Sequence, residues 1–595
     1  MAARLRRSSI IAAVLLALIA GSSFFPVWAG EQNTLRLAVV QMAIAPELQT
    51  NCERMWQWVG KAAAQQARVV VFPEGALWAE PKDSDKLAHA LQTLRIIAAE
   101  KNVYLVFGES RPGSKSGEFI QSARVVDPEG NDIFHYVKHH DVPSLPLPGT
   151  FLIDGVPVGA IICADRWLRT VEELPIQMGA QISIELSANF AAEWVPQLQW
   201  YWYVSRALRN NVWVIFANSA KNAHCDGHGH SAVIAPDGRV VASIPDNQET
   251  MLVCDIDPSL ASRGEALARS THPALHEFWT VGLRMYDGQV PHSSPQFYPV
   301  ATKEITLAAT TVADNLDDIE EVVQKASRER ADLLVFPARS CAPNELRDIQ
   351  SLAKRYHIAL AVGIKPQAEH MPNRAVVIGS DGTLVTEYGQ LSAQPPLEPG
   401  RSTQGMLFSV KGVPALLLVE QDILWTELIE LAAVRGVRIL IHLGRSEGTT
   451  PETRQQQLQI WATAASFGMF SAMADVNQAA LWEDLNPRAE RRAVIEDRAP
   501  PISFPVEIYS PFSANLIKFT SHKDVIVAKR KLPSGYNHFS GSRGPVSNVK
   551  SLVTVGFATG VSNTRAVKGV LVFSQRGACD DFSTDDDRQN SIKKL

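Results

Sequence analysis

Val158-Gly-Ala-Ile-Ile162-Cys163-Ala-Asp165-Arg166-Trp167 is the stretch on which the fold turns. A short apolar run rich in β-branched residues reads as a strand buried on both faces. The polar residues after it open a helix. A strand feeding directly into a helix is the unit of an α/β architecture. The cysteine sits at the junction, with its sulfur at the strand end and near the helix N-terminus. The partial positive charge there favours a thiolate.

Working outward, the same pattern is found twice. Leu35-Arg-Leu-Ala-Val-Val40, a helical stretch and Arg68-Val-Val-Val-Phe-Pro-Glu74 are echoed by Ile305-Thr-Leu-Ala-Ala309, a helical stretch and Asp332-Leu-Leu-Val-Phe-Pro-Ala338. Val103-Tyr-Leu-Val-Phe-Gly108 matches Ile358-Ala-Leu-Ala-Val-Gly363, and Gly155-Val-Pro157 matches Gly412-Val-Pro414. Helices beginning near Thr170 and Thr426 follow. Ordered markers over so long a span mean an internal duplication. The expected units are residues 34–289 and 303–535, joined by a Pro/His/Ser-rich linker over 290–299. A polar tail, 536–595, is expected to be poorly ordered.

The remaining composition narrows the function. The chain has 595 residues, 57 Lys+Arg against 62 Asp+Glu, a net charge of −5 and 46% apolar residues. Such a chain builds ample cores, and its mild acidity leaves no footprint for nucleic acid. Residues 1–29 read as a signal peptide: Arg4, Arg6 and Arg7 precede an apolar run from Ile10 to Ala20, and small residues stand before Gly30. The expected location is therefore periplasmic or secreted. A retained signal anchor is the alternative, and the only route to a membrane. The 6 cysteines are irregularly spaced and give no disulfide framework.

Two further groups stand at strand ends: Glu74 after Val-Val-Val-Phe-Pro, and Lys138 after Ile133-Phe-His-Tyr-Val137. A free thiol is mostly protonated at neutral pH and needs a base or a cation beside it. Thiol, carboxylate and ammonium together suit nucleophilic acyl chemistry. Glu74 would move the proton and Lys138 would stabilise an oxyanion. His224-Cys225-Asp226-Gly-His228-Gly-His230 has the composition of a metal site but not helical or strand spacing, so no metal is expected. The run Trp194, Trp200, Tyr201, Trp202, Tyr203 reads as helix packing.

Phe72-Pro73-Glu74-Gly75, Tyr136-x-Lys138, Ile162-Cys163-Ala164-Asp165 and Gly229-His-Ser231, in this order, resemble the nitrilase, or carbon–nitrogen hydrolase, superfamily. The resemblance implies an α-β-β-α sandwich, here present twice in tandem, and no cofactor or metal. It also implies a Glu74–Lys138–Cys163 triad acting on a small amide or carbamoyl substrate through a thioester, with Asp165, Trp167 and Asn189 as substrate-binding candidates. Many members carry a second glutamate between the lysine and the cysteine. None stands here, and Asp141 and Asp154 are the available substitutes. Cys-x-Asp points to an amide or carbamoyl hydrolase. A nitrilase, an N-acyltransferase or a non-catalytic scaffold are the alternatives. In the second repeat Ala338, Gln390 and Glu420 replace the triad, so that copy is expected to be catalytically dead. It is expected to act as an internal partner, an intramolecular pseudo-dimer, with further homo-oligomerisation open.

Overall fold

The structure, a computed structural model, describes residues 34–275, 303–483 and 515–532, apart from positions 114–118, 139–147, 168, 190–193, 369–370, 393–398, 401, 435–436, 447–449, 467–468 and 521–523. The leader, the 290–299 linker, Asp141 and the 536–595 tail lie outside the described residues.

The first repeat runs β1 (Leu35–Gln41), α1 (Leu48–Ala64), β2 (Val69–Val71), β3 (Leu77–Trp78), α2 (Ser84–Lys101), β4 (Tyr104–Pro112), β5 (Phe119–Val126) and β6 (Asp132–Val137). It continues with β7 (Thr150–Ile153), β8 (Val156–Ile162), α3 (Arg169–Gln177), β9 (Ile182–Ser187), α4 (Tyr201–Asn210), β10 (Trp213–Asn218), β11 (Ala232–Ile234), β12 (Val240–Ser243), β13 (Thr250–Ile256) and α5 (Gly264–Thr271). The strands form two sheets, ordered β13-β1-β2-β4-β5-β6, with β3 against β4, and β12-β11-β10-β9-β8-β7.

The sheets lie face to face. Val39, Val71, Val106 and Val125 of one meet Val158, Ala160, Ile184 and Ile215 of the other in a single apolar cluster. The outer face of the first sheet is covered by helices. On α1, Leu48, Cys52, Met55, Val59 and Ala62 recur at helical spacing and are buried with Val40, Val70 and Leu105. The layers are thus helix, sheet, sheet, helix.

The second repeat contains β14 (Lys303–Thr310), α6 (Leu316–Arg328), β15 (Leu333–Val335), α7 (Leu346–Tyr356), β16 (Ala359–Ile364), β17 (Arg374–Ile378), β18 (Leu384–Gly389), β19 (Leu407–Val410) and β20 (Val413–Val419). Then come α8 (Thr426–Val434), β21 (Ile439–Leu443), α9 (Pro451–Ala465), β22 (Phe470–Ala474), β23 (Ala479–Glu483), β24 (Asn515–Thr520) and β25 (Val525–Leu532). Its sheets, β18-β17-β16-β15-β14-β25 and β19-β20-β21-β22-β23-β24, keep the order of the first copy. β25 pairs antiparallel with β14 as β13 does with β1.

The two copies meet through helices. α3 packs on α8, and α4 lies along α9 in the more extensive contact. Gln459 Nε2 donates to the carbonyls of Leu198 and Gln199 (3.0 and 2.6 Å), and Gln455 Nε2 to Gln197 O (2.6 Å). Trp202, Val204 and Ala207 belong to the same apolar cluster as Leu458, Trp461 and Ala462. At the other end Arg269 Nε donates to Glu427 Oε1 at 3.0 Å. Among the described residues no helix is long and apolar enough to cross a membrane.

Candidate active site

Glu74, Lys138 and Cys163 follow strands β2, β6 and β8 of the first repeat. Glu74 is fixed by the backbone of a neighbouring strand. Phe72 N donates to Val106 O (2.8 Å) and Gly108 N to Pro73 O (3.1 Å). A Cβ at position 108 would lie 2.5 Å from Glu74 Cα, so only glycine lets β4 approach this closely. Lys138 is set by its own N–H, which donates to Gln121 O at 2.9 Å. Cys163 begins a 3₁₀ turn, Cys163–Trp167, with φ of 44°. A non-glycine residue in this region is strained, and such strain concentrates where a side chain must project from a sharp turn.

Two of the three heads meet directly. Lys138 Nζ donates to Glu74 Oε1 at 2.7 Å, and both residues are buried. The other carboxylate oxygen, Oε2, accepts from the N–H of Ala188 (3.2 Å). The next residue, Asn189, carries the Oδ1 that lies 3.2 Å from Cys163 Sγ. Glu74 and Cys163 therefore each contact one of two consecutive residues just past β9.

Arg166 Nη1 stands 3.7 Å from the same sulfur and 3.0 Å from both Glu185 Oε1 and Asn189 Oδ1. A guanidinium this near favours negative charge on sulfur. Tyr203 Oη donates to Glu185 Oε1 (3.2 Å) and accepts from Asn189 Nδ2 (3.0 Å), fixing that amide's orientation. The other described thiols are environments of the opposite kind. Burial pushes Cys52, Cys225 and Cys254 up, and Cys341 up to about 12.

Of the expected substrate-binding residues, Asn189 is at the thiol. Asp165 lies beneath the turn that begins at Cys163. It is fully buried and accepts from Tyr136 Oη (2.9 Å) and Ile162 N (3.3 Å), tying the turn to β6 and β8. Trp167 closes the turn. Asp154 does not stand in for the family's second glutamate. Its carboxylate takes both Nε and Nη2 of Arg68 (2.7 and 2.8 Å) and Tyr104 Oη (3.2 Å) at a half-exposed position.

Arg166, Glu185 and Tyr203 were not singled out from the sequence. A glutamate inside the otherwise apolar Ile182-Ser-Ile-Glu-Leu186 was the available signal, because a fully buried carboxylate demands a cation. Tyr203 was masked by the aromatic run around it, most of which does pack α4. In the 224–230 loop, His230 stacks on Trp194 with centroids 3.7 Å apart. Burial takes His228 down to about 3, so it is uncharged. Among the described residues no cluster of three or more His, Cys, Asp or Glu side chains could hold a metal.

The second repeat keeps the frame without the groups. Glu420 opens the turn Glu420–Leu424 with φ of 52°, and Tyr388 Oη donates to Asp422 (2.7 Å) as Tyr136 does to Asp165. A Cβ at Gly363 would sit 2.5 Å from Ala338 Cα, reproducing the approach of Gly108 to Glu74.

The profile described as "Carbon-nitrogen hydrolase" matches residues 36–264 and again 300–486, more than half of the chain. This chain belongs to the carbon–nitrogen hydrolase family. Omega-amidase NIT2 of Homo sapiens is 30% identical over 253 residues, covering 38% of this carbon–nitrogen hydrolase and 89% of the relative. Deaminated glutathione amidase of Dictyostelium discoideum is 24% identical over 259 residues, covering 37% and 87%. Among solved structures, an amidase from Nesterenkonia sp. is similar at 21% identity and a TM-score of 0.35, covering 40% of this chain and 95% of its own. The protein is a hydrolase of carbon–nitrogen bonds other than peptide bonds, its domain present twice and its relatives amidases.

Proposed function

We propose that the first repeat is an exported amidase that cleaves a small primary carboxamide or carbamoyl compound through a thioester on Cys163. Glu74 accepts the thiol proton as sulfur attacks the carbonyl carbon, and Lys138 balances the oxyanion of the tetrahedral intermediate. The C–N bond then breaks, Glu74 returns the proton to the departing nitrogen, and ammonia leaves. Water adds to the thioester, Glu74 takes its proton, and collapse releases the acid and restores the thiol. Lys138 stays protonated throughout, so charge is conserved at each step. Arg166 and Asn189 are positioning residues for the sulfur. The second repeat serves as a built-in partner, its helices α8 and α9 backing the helices that carry the site.

The observation that supports this reading is the 2.7 Å Lys138–Glu74 contact, tied to Cys163 through Ala188 and Asn189. Export rests on residues 1–29, which have the charge and apolar pattern of a leader. Iodoacetamide labelling at pH 7 tests the chemistry. Cys163 is expected to alkylate at least tenfold faster than Cys52, Cys225, Cys254 or Cys341, with the advantage lost in Glu74→Gln. Mass spectrometry of the chain mixed with butyramide is expected to show an acyl adduct on Cys163 and ammonia in solution. Equal labelling rates with no adduct would exclude the mechanism.

A further inference from the structure

A carboxylate stands inside the buried strand β9. Glu185 has no exposed surface, and a charge there persists only where donors surround it. Its Oε1 accepts from Arg166 Nη1 (3.0 Å), Ser187 Oγ (2.8 Å) and Tyr203 Oη (3.2 Å), and its Oε2 from Arg206 Nη2 (2.5 Å). Gripped by four donors, this carboxylate has one orientation.

Two of the four lead to the sulfur. Arg166 Nη1 stands 3.7 Å from Cys163 Sγ and also donates to Asn189 Oδ1 (3.0 Å). Tyr203 Oη accepts from Asn189 Nδ2 (3.0 Å), and Asn189 Oδ1 is the oxygen 3.2 Å from Sγ. The guanidinium and the amide at the thiol are thus both tied to Glu185, the first directly and the second through a phenol. The charge matters as much as the aim. With Glu185 sharing it, the Arg166 guanidinium is drawn away from a close ion pair with the thiolate. A thiolate locked in such a pair would be abundant but sluggish, because nucleophilicity falls as basicity falls.

The second repeat shows what disappears with the thiol. β20 and β21 pair in the register of β8 and β9, which puts His442 in the place of Glu185. Ile423 stands where the first turn has Arg166. Trp461 Nε1 donates to His442 Nδ1 (3.0 Å) and His442 Nε2 donates to Glu420 O (2.9 Å), an arrangement in which the imidazole carries no charge. The tie that holds the turn itself survives, since Tyr388 and Asp422 repeat Tyr136 and Asp165. Groups that shape the turn persist in both copies, whereas this carboxylate–guanidinium pair is kept only where the sulfur is.

We propose that Glu185 is a positioning residue for the thiol: it aims Arg166 and Asn189 at Cys163 and, by sharing the guanidinium's charge, limits how strongly that cation pulls on the sulfur. This role presupposes Cys163 as the nucleophile, with Glu185 acting on it from behind.

A neighbouring charge moves a titration by about 1–3 units. In the full-length chain, iodoacetamide labelling of Cys163 followed against pH by peptide mass spectrometry reads the sulfur without any turnover. Glu185→Gln keeps the shape and removes the charge. Its labelling midpoint is expected about one unit or more below the parent's, with kcat for butyramide at least tenfold lower and KM within threefold. Tyr203→Phe keeps the ring in α4 and deletes only the link to Asn189, so kcat is expected to fall at least fivefold with KM and midpoint unchanged. A side chain that served only the fold would alter unfolding and leave the midpoint of the folded protein in place. A parent that labels Cys163 no faster than its other thiols and releases no ammonia sinks the hydrolase reading, whereas the role of Glu185 is decided by the difference between parent and variant. A folded Glu185→Gln chain with its midpoint within about 0.3 units of the parent's, or a Tyr203→Phe chain with full kcat, overturns the proposal.

Discussion

Glu427→Gln probes how firmly the second repeat supports the first. From the nucleophile inward, Arg166 pairs with Glu185 (3.0 Å), Glu185 with Arg206 (2.5 Å), Arg206 with Glu172, Glu172 with Arg209 (2.8 Å), Arg209 with Glu173 (2.5 Å), Glu173 with Arg269 (2.5 Å) and Arg269 with Glu427 (3.0 Å). The run contains as many guanidiniums as carboxylates, and only Glu427 comes from the second repeat. Neutralising it leaves one uncompensated cation at Arg269, whose side chain is 0% exposed.

Removing one member of a buried pair costs about 3–5 kcal/mol in general. Arg269 retains Glu173 Oε2, Asn210 Oδ1 and Arg209 O. Burial also pushes the Glu427 carboxyl up while Arg269 draws it down, so the charge lost is partly offset already. The single charge-assisted hydrogen bond then sets the scale, about 2 kcal/mol. Guanidinium unfolding monitored by fluorescence and by far-UV dichroism is expected to show that loss, with the thermal midpoint several degrees lower. Asp255→Asn, which opens the exposed Arg36–Asp255 pair at 2.7 Å, is expected to leave both midpoints in place. A Glu427→Gln shift below about 0.5 kcal/mol would refute the claim that this run joins the two repeats.

Glu420 has its carboxyl raised to about 7, chiefly by burial and further by Asp475, against the opposing pull of Arg339 and the Arg445 N–H; His442 behind it is neutral, held down near 4 by burial. Because the folded state holds this proton more tightly than the unfolded chain, its stabilisation is complete below the ordinary carboxylate range and is lost as pH rises to about 7. Glu420→Gln should therefore gain on the parent by up to about 3 kcal/mol between pH 4.5 and 8, read from denaturant midpoints, and parallel curves for the two proteins would reject it. Gly108→Ala should displace Glu74 and lower kcat by about 10²-fold with KM nearly unchanged. Gly363→Ala, with the same 2.5 Å overlap against Ala338, should lower the melting temperature but leave turnover of the first repeat intact, so equal losses of activity in the two variants would contradict the assignment.

The duplication was legible because it is written in local patterns: strand-length apolar runs, Phe-Pro before a site position, and glycines that recur wherever β4 or β16 must touch the preceding turn. Glu74, Lys138 and Cys163 were legible because each is a chemistry-bearing residue directly after such a run. The hydrogen bond from Tyr136 to Asp165 was not legible, since the two lie 29 residues apart in sequence and only the folded sheet brings them together. Asp154 failed as a substitute carboxylate for the same reason. Its partner, Arg68, is 86 residues distant and draws it to the surface.

From the sequence alone came the two repeats, the strand–helix alternation and the loss of thiol, base and lysine in the second copy. These depend on residue type and spacing along the chain, and spacing survives without coordinates. Tertiary structure alone decided that Asn189 meets the sulfur and how Arg269 reaches Glu427. Each of these is a distance between residues far apart in the chain, fixed by sheets and helices packing as whole bodies.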